Sequence, residues 1–263
     1  MENQDILYAF GLTLIAGLST GIGSLIAFLA KKTNTRFLSA ALGLSAGVMI
    51  YVSFMELMPE SVMQLQGIYT GKEAETYMLL AFFAGIGLIA IIDKLVPEDE
   101  NPHEIHTETD GMQNRKLKRT GMMMALAIGI HNFPEGLATF ASALSDPEIA
   151  IPIVFAIAIH NIPEGIAVSV PIYHATGNRR KAFRLSFFSG MAEPVGALLG
   201  FLFLQPFWTP CVNALLLAFV SGIMVYISFD ELLPGTEKYG HHHYGVAGVV
   251  AGMAVMAGSL LVL

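Results

Sequence analysis

The sequence predicts an all-α integral membrane protein with eight transmembrane helices arranged as an inverted repeat, and three observations carry that prediction. Of 263 residues, 54% are hydrophobic and only 13% charged, with a mean hydropathy of +0.60; soluble domains carry about 25% charge. The apolar residues fall in blocks long enough to cross a hydrocarbon layer of about 30 Å. Two of those blocks repeat one another. A soluble enzyme is excluded, and the implied partner is the lipid bilayer and not nucleic acid. The net charge of -7 means little when charge is confined to loops and a few intramembrane positions.

The first span, 6-30, opens with Glu2 and Asp5 instead of a basic segment and is too long for a cleavable leader, so it reads as retained. The second, 37-58, follows Lys31, Lys32 and Arg36 and ends in SFMELMP. The third, 74-96, precedes the longest polar stretch, 97-118, acidic in its first half and basic in its second. That stretch reads as a flexible cytoplasmic loop within a single polytopic domain, 1-263, and its His103 and His106 are either part of a solvated tether or collectors of divalent cations. The fourth and fifth spans, 119-145 and 149-173, each contain H-N-x-P-E-G. The sixth, 183-205, carries Glu193 near its middle; the seventh, 211-233, ends in SFDELLP; the eighth, 244-263, follows the run His241, His242, His243.

Assigning the loops to alternating sides puts thirteen of the fourteen Lys and Arg on one side and leaves only Lys72 on the other. Positive charge is retained in the cytoplasm. The expected topology is therefore multi-pass with both termini outside the cytoplasm.

Residues 43-59, GLSAGVMIYVSFMELMP, match 218-234, AFVSGIMVYISFDELLP, at eight of seventeen positions. The two segments lie on the second and seventh spans, which cross in opposite directions, so the repeat is inverted. ALAIGIHNFPEGLATF at 125-140 and VFAIAIHNIPEGIAVS at 154-169 repeat likewise on adjacent, antiparallel spans. Inverted repeats with midplane sites are the architecture of secondary transporters, since two equivalent halves can exchange inward-open and outward-open states.

The twin motif supplies His131, Asn132, Glu135 and His160, Asn161, Glu164. A His and a Glu four residues apart on a helix face the same spot. Pro134 and Pro163 free the carbonyls of Ile130 and Ile159, and an interrupted helix is expected there. Ionisable groups at this depth cost at least a few kcal/mol each, so they pair with one another or bind something. Glu193 adds a third carboxylate. Cys211 is the sole cysteine and can form neither a disulfide nor a thiolate cluster, so any metal is held by nitrogen and oxygen. Two imidazoles with carboxylates suit Zn, Fe, Mn, Co or Cd better than Mg or Ca, and the lack of thiolate disfavours Cu(I). Protonating His131, His160 or a bridging glutamate would weaken such a site. The alternative for each His-Glu pair is a hydrogen bond that only packs helices.

Glu56, Asp230 and Glu231 near span ends read as carboxylates at the mouths of a cation path or as groups facing water. The methionines, Met49 and Met224 among them, read as core filler, and Gly17, Gly21, Gly85 and Gly87 as close-packing positions.

On the twin HNxPEG motifs, the SFMELMP and SFDELLP pair, the SGMAEP segment and the polar loop after the third span, the sequence resembles the ZIP family of divalent-metal transporters, in particular its bacterial zinc uptake branch. The resemblance runs nearly end to end. It implies helices grouped three, two and three, a site between spans four, five and six that can hold two metals, and uptake into the cytoplasm across the inner (cytoplasmic) membrane. It implies zinc, with Fe2+, Mn2+, Co2+ and Cd2+, as transported substrate and not as cofactor, and a homodimer as the assembly. By position, His131, Glu135, His160 and Glu164 resemble the primary ligands, and Asn132, Asn161 and Glu193 the secondary ones. The expected mechanism is alternating access through a midplane site.

Two other functions compete. A metal-gated channel without alternating access would use the same ligands. An intramembrane hydrolase has one foothold, the G-x-S-x-G of Gly43, Ser45 and Gly47. The repeat counterparts of Gly43 and Ser45 are Ala218 and Val220, and H-E-x-x-H is absent, so no enzyme is expected.

Overall fold

The computed structural model describes residues 3-29, 35-95, 110-145, 147-204, 207, 209-238 and 240-262. Its elements are helical throughout: α1 (Asn3–Leu29), α2 (Thr35–Val52), α3 (Met58–Gln66), α4 (Lys72–Leu95), α5 (Asp110–Ser145), α6 (Pro147–Thr176), α7 (Arg179–Gly190), α8 (Ala192–Leu204), α9 (Pro210–Ile227), α10 (Leu233–Lys238) and α11 (His242–Val262). A π-helical segment, Ser53–Leu57, joins α2 to α3, and a second, Ser228–Leu232, joins α9 to α10. These are the two copies of the SFxEL repeat, and each is followed by a proline in the first turn of the next helix, where its missing N–H costs nothing. The repeated sequence thus folds into a repeated local structure.

Local chemistry sets several ends. Thr209 caps α9 by accepting the Val212 N–H at 3.2 Å, and Asn178 caps α7 by accepting the Lys181 N–H at 3.0 Å. Gly71, Gly177 and Gly240 take φ of 59°, 63° and 73° in the tight turns before α4, α7 and α11, a region open to glycine.

Among the described residues, six segments are by length and composition able to cross a membrane: Gln4–Leu25, Thr35–Gln66, Lys72–Lys94, Arg179–Phe203, Pro210–Glu237 and His242–Leu261. They correspond to the first three and last three expected spans. The motif-bearing helices α5 and α6 are outside this group; among the described residues, Ile157–Val170 of α6 is a shorter apolar stretch.

Several boundaries differ from expectation. The second segment continues to Gln66, past the expected end at 58, because the π segment runs directly into α3, whose first turn tolerates Pro59. Residues 110-118, expected in the loop, are the first turns of α5, whereas 97-109 with His103 and His106 lie outside the described residues. The expected interruption at the motif prolines is not found. α5 and α6 run unbroken through Pro134 and Pro163, since a helix clasped on both sides tolerates one missing bond. The break lies in the sixth span instead, where α7 ends at Gly190 and the Met191 N–H closes onto Phe187 O at 2.9 Å.

α5 and α6 pack together, with α1 against α6 and α8 against α5; α2 packs on α11, and α4 on α9. Glycines set these contacts in matched pairs. Gly165 meets Thr20 O while Gly23 meets Ile162 O; Gly136 meets Glu193 O while Gly196 meets Phe133 O; Gly85 meets Phe219 O while Gly222 meets Phe82 O. A Cβ at any of the six would collide with a backbone carbonyl. Lipid tails are as apolar as leucine, so helices in a membrane associate by such close approach more than by exclusion of water. Gly17 and Gly85 are close-packed as expected, and Gly87 faces open space. Met49 and Met224 are buried in the central core with Ile128, Ile166 and Ile223. Leu7, Phe188, Phe203 and Leu261 point outward, the side that lipid would cover.

Candidate metal centre

The two motif helices bring their polar faces together. His131, Asn132, His160, Asn161, Glu164 and Glu193 are fully buried, and Glu135 is 3% exposed. The histidines and glutamates pair across the helices: His131 Nε2 lies 3.3 Å from Glu164 Oε1, and His160 Nε2 lies 3.2 Å from Glu135 Oε1. Within α5 the His131 Nε2 to Glu135 Oε2 distance is longer, 3.8 Å. One ligand atom each of His131, His160 and Glu164 falls within 4.8 Å of the others. Donors bound at about 2.0–2.1 Å around a tetrahedral zinc ion stand about 3.3 Å apart. The cross-helix spacings match that edge.

Two asparagines brace the cluster from behind. Asn132 Nδ2 donates to Ser189 O of α7 at 3.3 Å. Asn161 Nδ2 donates to Ala16 O of α1 at 3.0 Å and to Glu193 Oε1, which ties α8 to the same spot. Among the described residues, Asn132 Oδ1, Asn161 Oδ1, Glu135 Oε2, Glu164 Oε2 and Glu193 Oε2 are buried without a hydrogen-bond partner. Leaving such atoms unmade costs about 1–3 kcal/mol each, more for charged groups. Buried oxygens left without protein partners around paired imidazoles are what a divalent cation would satisfy.

All seven residues singled out in the sequence therefore sit in one buried region. Sequence reasoning paired each histidine with the glutamate of its own helix; the shorter pairings are between helices, and no spacing rule within one helix reports them. It also missed the anchoring carbonyls of Ala16 and Ser189, which carry no side-chain signal.

The outlying candidates behave differently. Glu56 lies half-buried in the first π segment, away from the cluster's pairings. Asp230 and Glu231 gather with Asp93, carboxylate oxygens within 4.8 Å of one another. Asp93 escaped sequence analysis because it is far away in the chain. His241 bonds Thr35 Oγ1 at 3.0 Å and His242 bonds Glu237 Oε1 at 3.1 Å, so two members of the histidine run turn to separate partners. Ser45 is fully buried with its hydroxyl directed to Met49 Sδ at 4.0 Å, and Gly43 and Gly47 close against α11. The G-x-S-x-G run is a packing face.

A family model described as the ZIP zinc transporter matches residues 94–260. The chain belongs to the ZIP family. It is 58% identical to a protein named zinc transporter ZupT from Nitratidesulfovibrio vulgaris, covering 99% of each chain. It is 59% identical to one of that name from Streptococcus mutans, covering 98% of each, and 53% identical to one from Clostridium perfringens, covering 98% of this chain and 96% of the relative. Membership in this family makes the chain a transporter and not an enzyme.

Proposed function

We propose that the protein carries zinc into the cytoplasm by alternating access, with His131, Glu135, His160 and Glu164 as the ligands of the transported ion and Asn132, Asn161 and Glu193 as a second ligand set beside them. The observation that carries this reading is the cross-helix pairing at 3.2 and 3.3 Å, fully enclosed by protein. It gives a hydrated cation two imidazoles and carboxylates at zinc-like spacing in exchange for its waters. The same donor set accommodates Fe2+, Mn2+, Co2+ and Cd2+, which we propose as further substrates.

The topology we propose has eight crossings, the six apolar segments plus α5 and α6, in the cytoplasmic membrane with both termini outside. The segregation of thirteen basic residues from Lys72 supports that orientation. Matched π segments and matched glycine contacts support two equivalent halves related by inversion, the arrangement that alternating access uses. A homodimer rests on the family resemblance alone.

The test is zinc uptake into proteoliposomes by the native chain and by a His131→Ala, Glu164→Ala double variant. The native chain takes up zinc with saturable kinetics and the variant does not. Equal uptake by both would remove the cluster from the transport path, and uptake that never saturates would turn the protein into a channel.

A further inference from the structure

The helices flanking the motif pair, α1 on one side and α7–α8 on the other, make the same contacts at one constant offset in the chain. Ala16 O receives Asn161 Nδ2 as Ser189 O receives Asn132 Nδ2. A Cβ built on Gly17 would lie 2.7 Å from Gly190 O, and one built on Gly190 would lie 2.5 Å from Gly17 O. Gly165 meets Thr20 O as Gly136 meets Glu193 O, and Gly23 and Gly196 meet the carbonyls of the third motif residues, Ile162 and Phe133. This register puts Thr20 in the structural position of Glu193. The segments GLSTGIG (17-23) and GMAEPVG (190-196) share only their terminal glycines, so the relation is invisible in the sequence.

Thr20 is fully buried and its hydroxyl has no hydrogen-bond partner. A helical threonine ordinarily bonds the carbonyl four residues back, as Thr13 does to Ala9 O at 3.0 Å in the same helix. For Thr20 that acceptor is Ala16 O, already occupied by Asn161 Nδ2 at 3.0 Å and Ser19 Oγ at 2.6 Å. The hydroxyl lies instead against α7, 2.7 Å from where a Cβ on Gly190 would stand. Gly190 follows Ser189, the residue that anchors Asn132, and Asn132 Oδ1 is likewise buried and unpartnered. We infer that Thr20 Oγ1 joins Asn132 Oδ1 as a neutral oxygen donor to the transported divalent cation within the second ligand set, on the flank opposite the Glu193 carboxylate. This rests on the cluster being the transport site. A hydroxyl and an amide oxygen bind a cation that keeps part of its water shell, without the charge that would hold it fast.

The test is zinc uptake by proteoliposomes holding the full chain, comparing native, Thr20→Val, Thr20→Ala and Thr20→Ser, each normalised to folded protein. Loss of the hydroxyl in the valine and alanine variants raises KM for zinc about five-fold and leaves Vmax per folded molecule within about two-fold, while Thr20→Ser keeps the native KM. Where uptake is too slow to fit, zinc affinity by calorimetry on the solubilised chain replaces KM. A native KM in both hydroxyl-free variants, a rise shared by Thr20→Ser, or a fall in Vmax alone would each overturn the Thr20 donor role. Glu164→Ala, run alongside, separates the two readings: its transport at the native rate sinks the proposed function, whereas its inactivity beside unchanged Thr20 variants sinks only the Thr20 donor role.

Discussion

α5 and α6 carry the same six-residue motif but face unequal neighbours. Each offers a histidine to the other's glutamate, at 3.3 Å from His131 to Glu164 and 3.2 Å from His160 to Glu135. Behind them the equivalence stops. Asn161 is gripped by Glu193 as well as by Ala16 O, while Asn132 holds only the Ser189 carbonyl among the bonds described. The flanking position that is a glutamate beside α6's asparagine is a threonine on α1. The two flanks share their backbone contacts, which depend on glycines and carbonyls, and differ in charge. On the proposed reading, a cation held between the two motifs would meet a carboxylate on one flank and neutral oxygen on the other, a polarity that two identical halves would lack.

The strongest way to break this comparison is to remove the cross-helix partners singly. Glu135→Ala and Glu164→Ala should each cut zinc uptake by about 100-fold or more, and the His131→Ala, Glu164→Ala double should cost little beyond either single, because residues that hold one ion are not additive. Fully additive losses in a double-variant cycle would mean that the pair does not act on the same ion. Next in size is Glu193→Gln, which keeps the shape and removes the charge: zinc affinity by calorimetry should fall about ten-fold, the scale of outer ligands that tune a metal site. An unchanged affinity would reduce Glu193 to a brace for Asn161. A smaller effect sharpens the asymmetry directly. Asn161→Ala frees both Glu193 and the Ala16 carbonyl and should weaken zinc binding a few-fold more than Asn132→Ala, which releases one carbonyl; equal losses would say that the two flanks are equivalent. The mildest expectation concerns the scaffold. Gly23→Ala and Gly196→Ala press on equivalent carbonyls, so both should destabilise the detergent-solubilised chain by similar amounts, about 1–3 kcal/mol each, read from chemical unfolding. Very unequal costs would show that the two contacts are not equivalent.

Much of this was legible before any coordinates. Apolar blocks at membrane length mark helices because hydrocarbon leaves the backbone no partner but itself. The twin HNxPEG motif points to the site because two buried acid–imidazole pairs are too costly to keep without a use. The repeated SFxEL segments do fold alike, as π segments. The fate of Pro134 and Pro163 was not legible: a proline's missing bond predicts a break, but whether the helix breaks depends on what clasps it, and α1 and α8 clasp these helices tightly. The break in the sixth span falls at Gly190 and Met191, and the signal for it in SGMAEP is Pro194, whose missing N–H leaves the Gly190 carbonyl free.

The sequence by itself determined the membrane class, the repeated segments and which seven residues we propose as ligands, because hydropathy, spacing and sequence repetition are properties of one strand of chain read in order. The tertiary structure alone decided that each histidine answers the other helix's glutamate, that Asp93 joins Asp230 and Glu231, and that Thr20 occupies the position of Glu193. Those relations depend on which helix faces lie within a few ångströms of each other, and that distance is set by glycines and carbonyls whose partners are far apart in the chain.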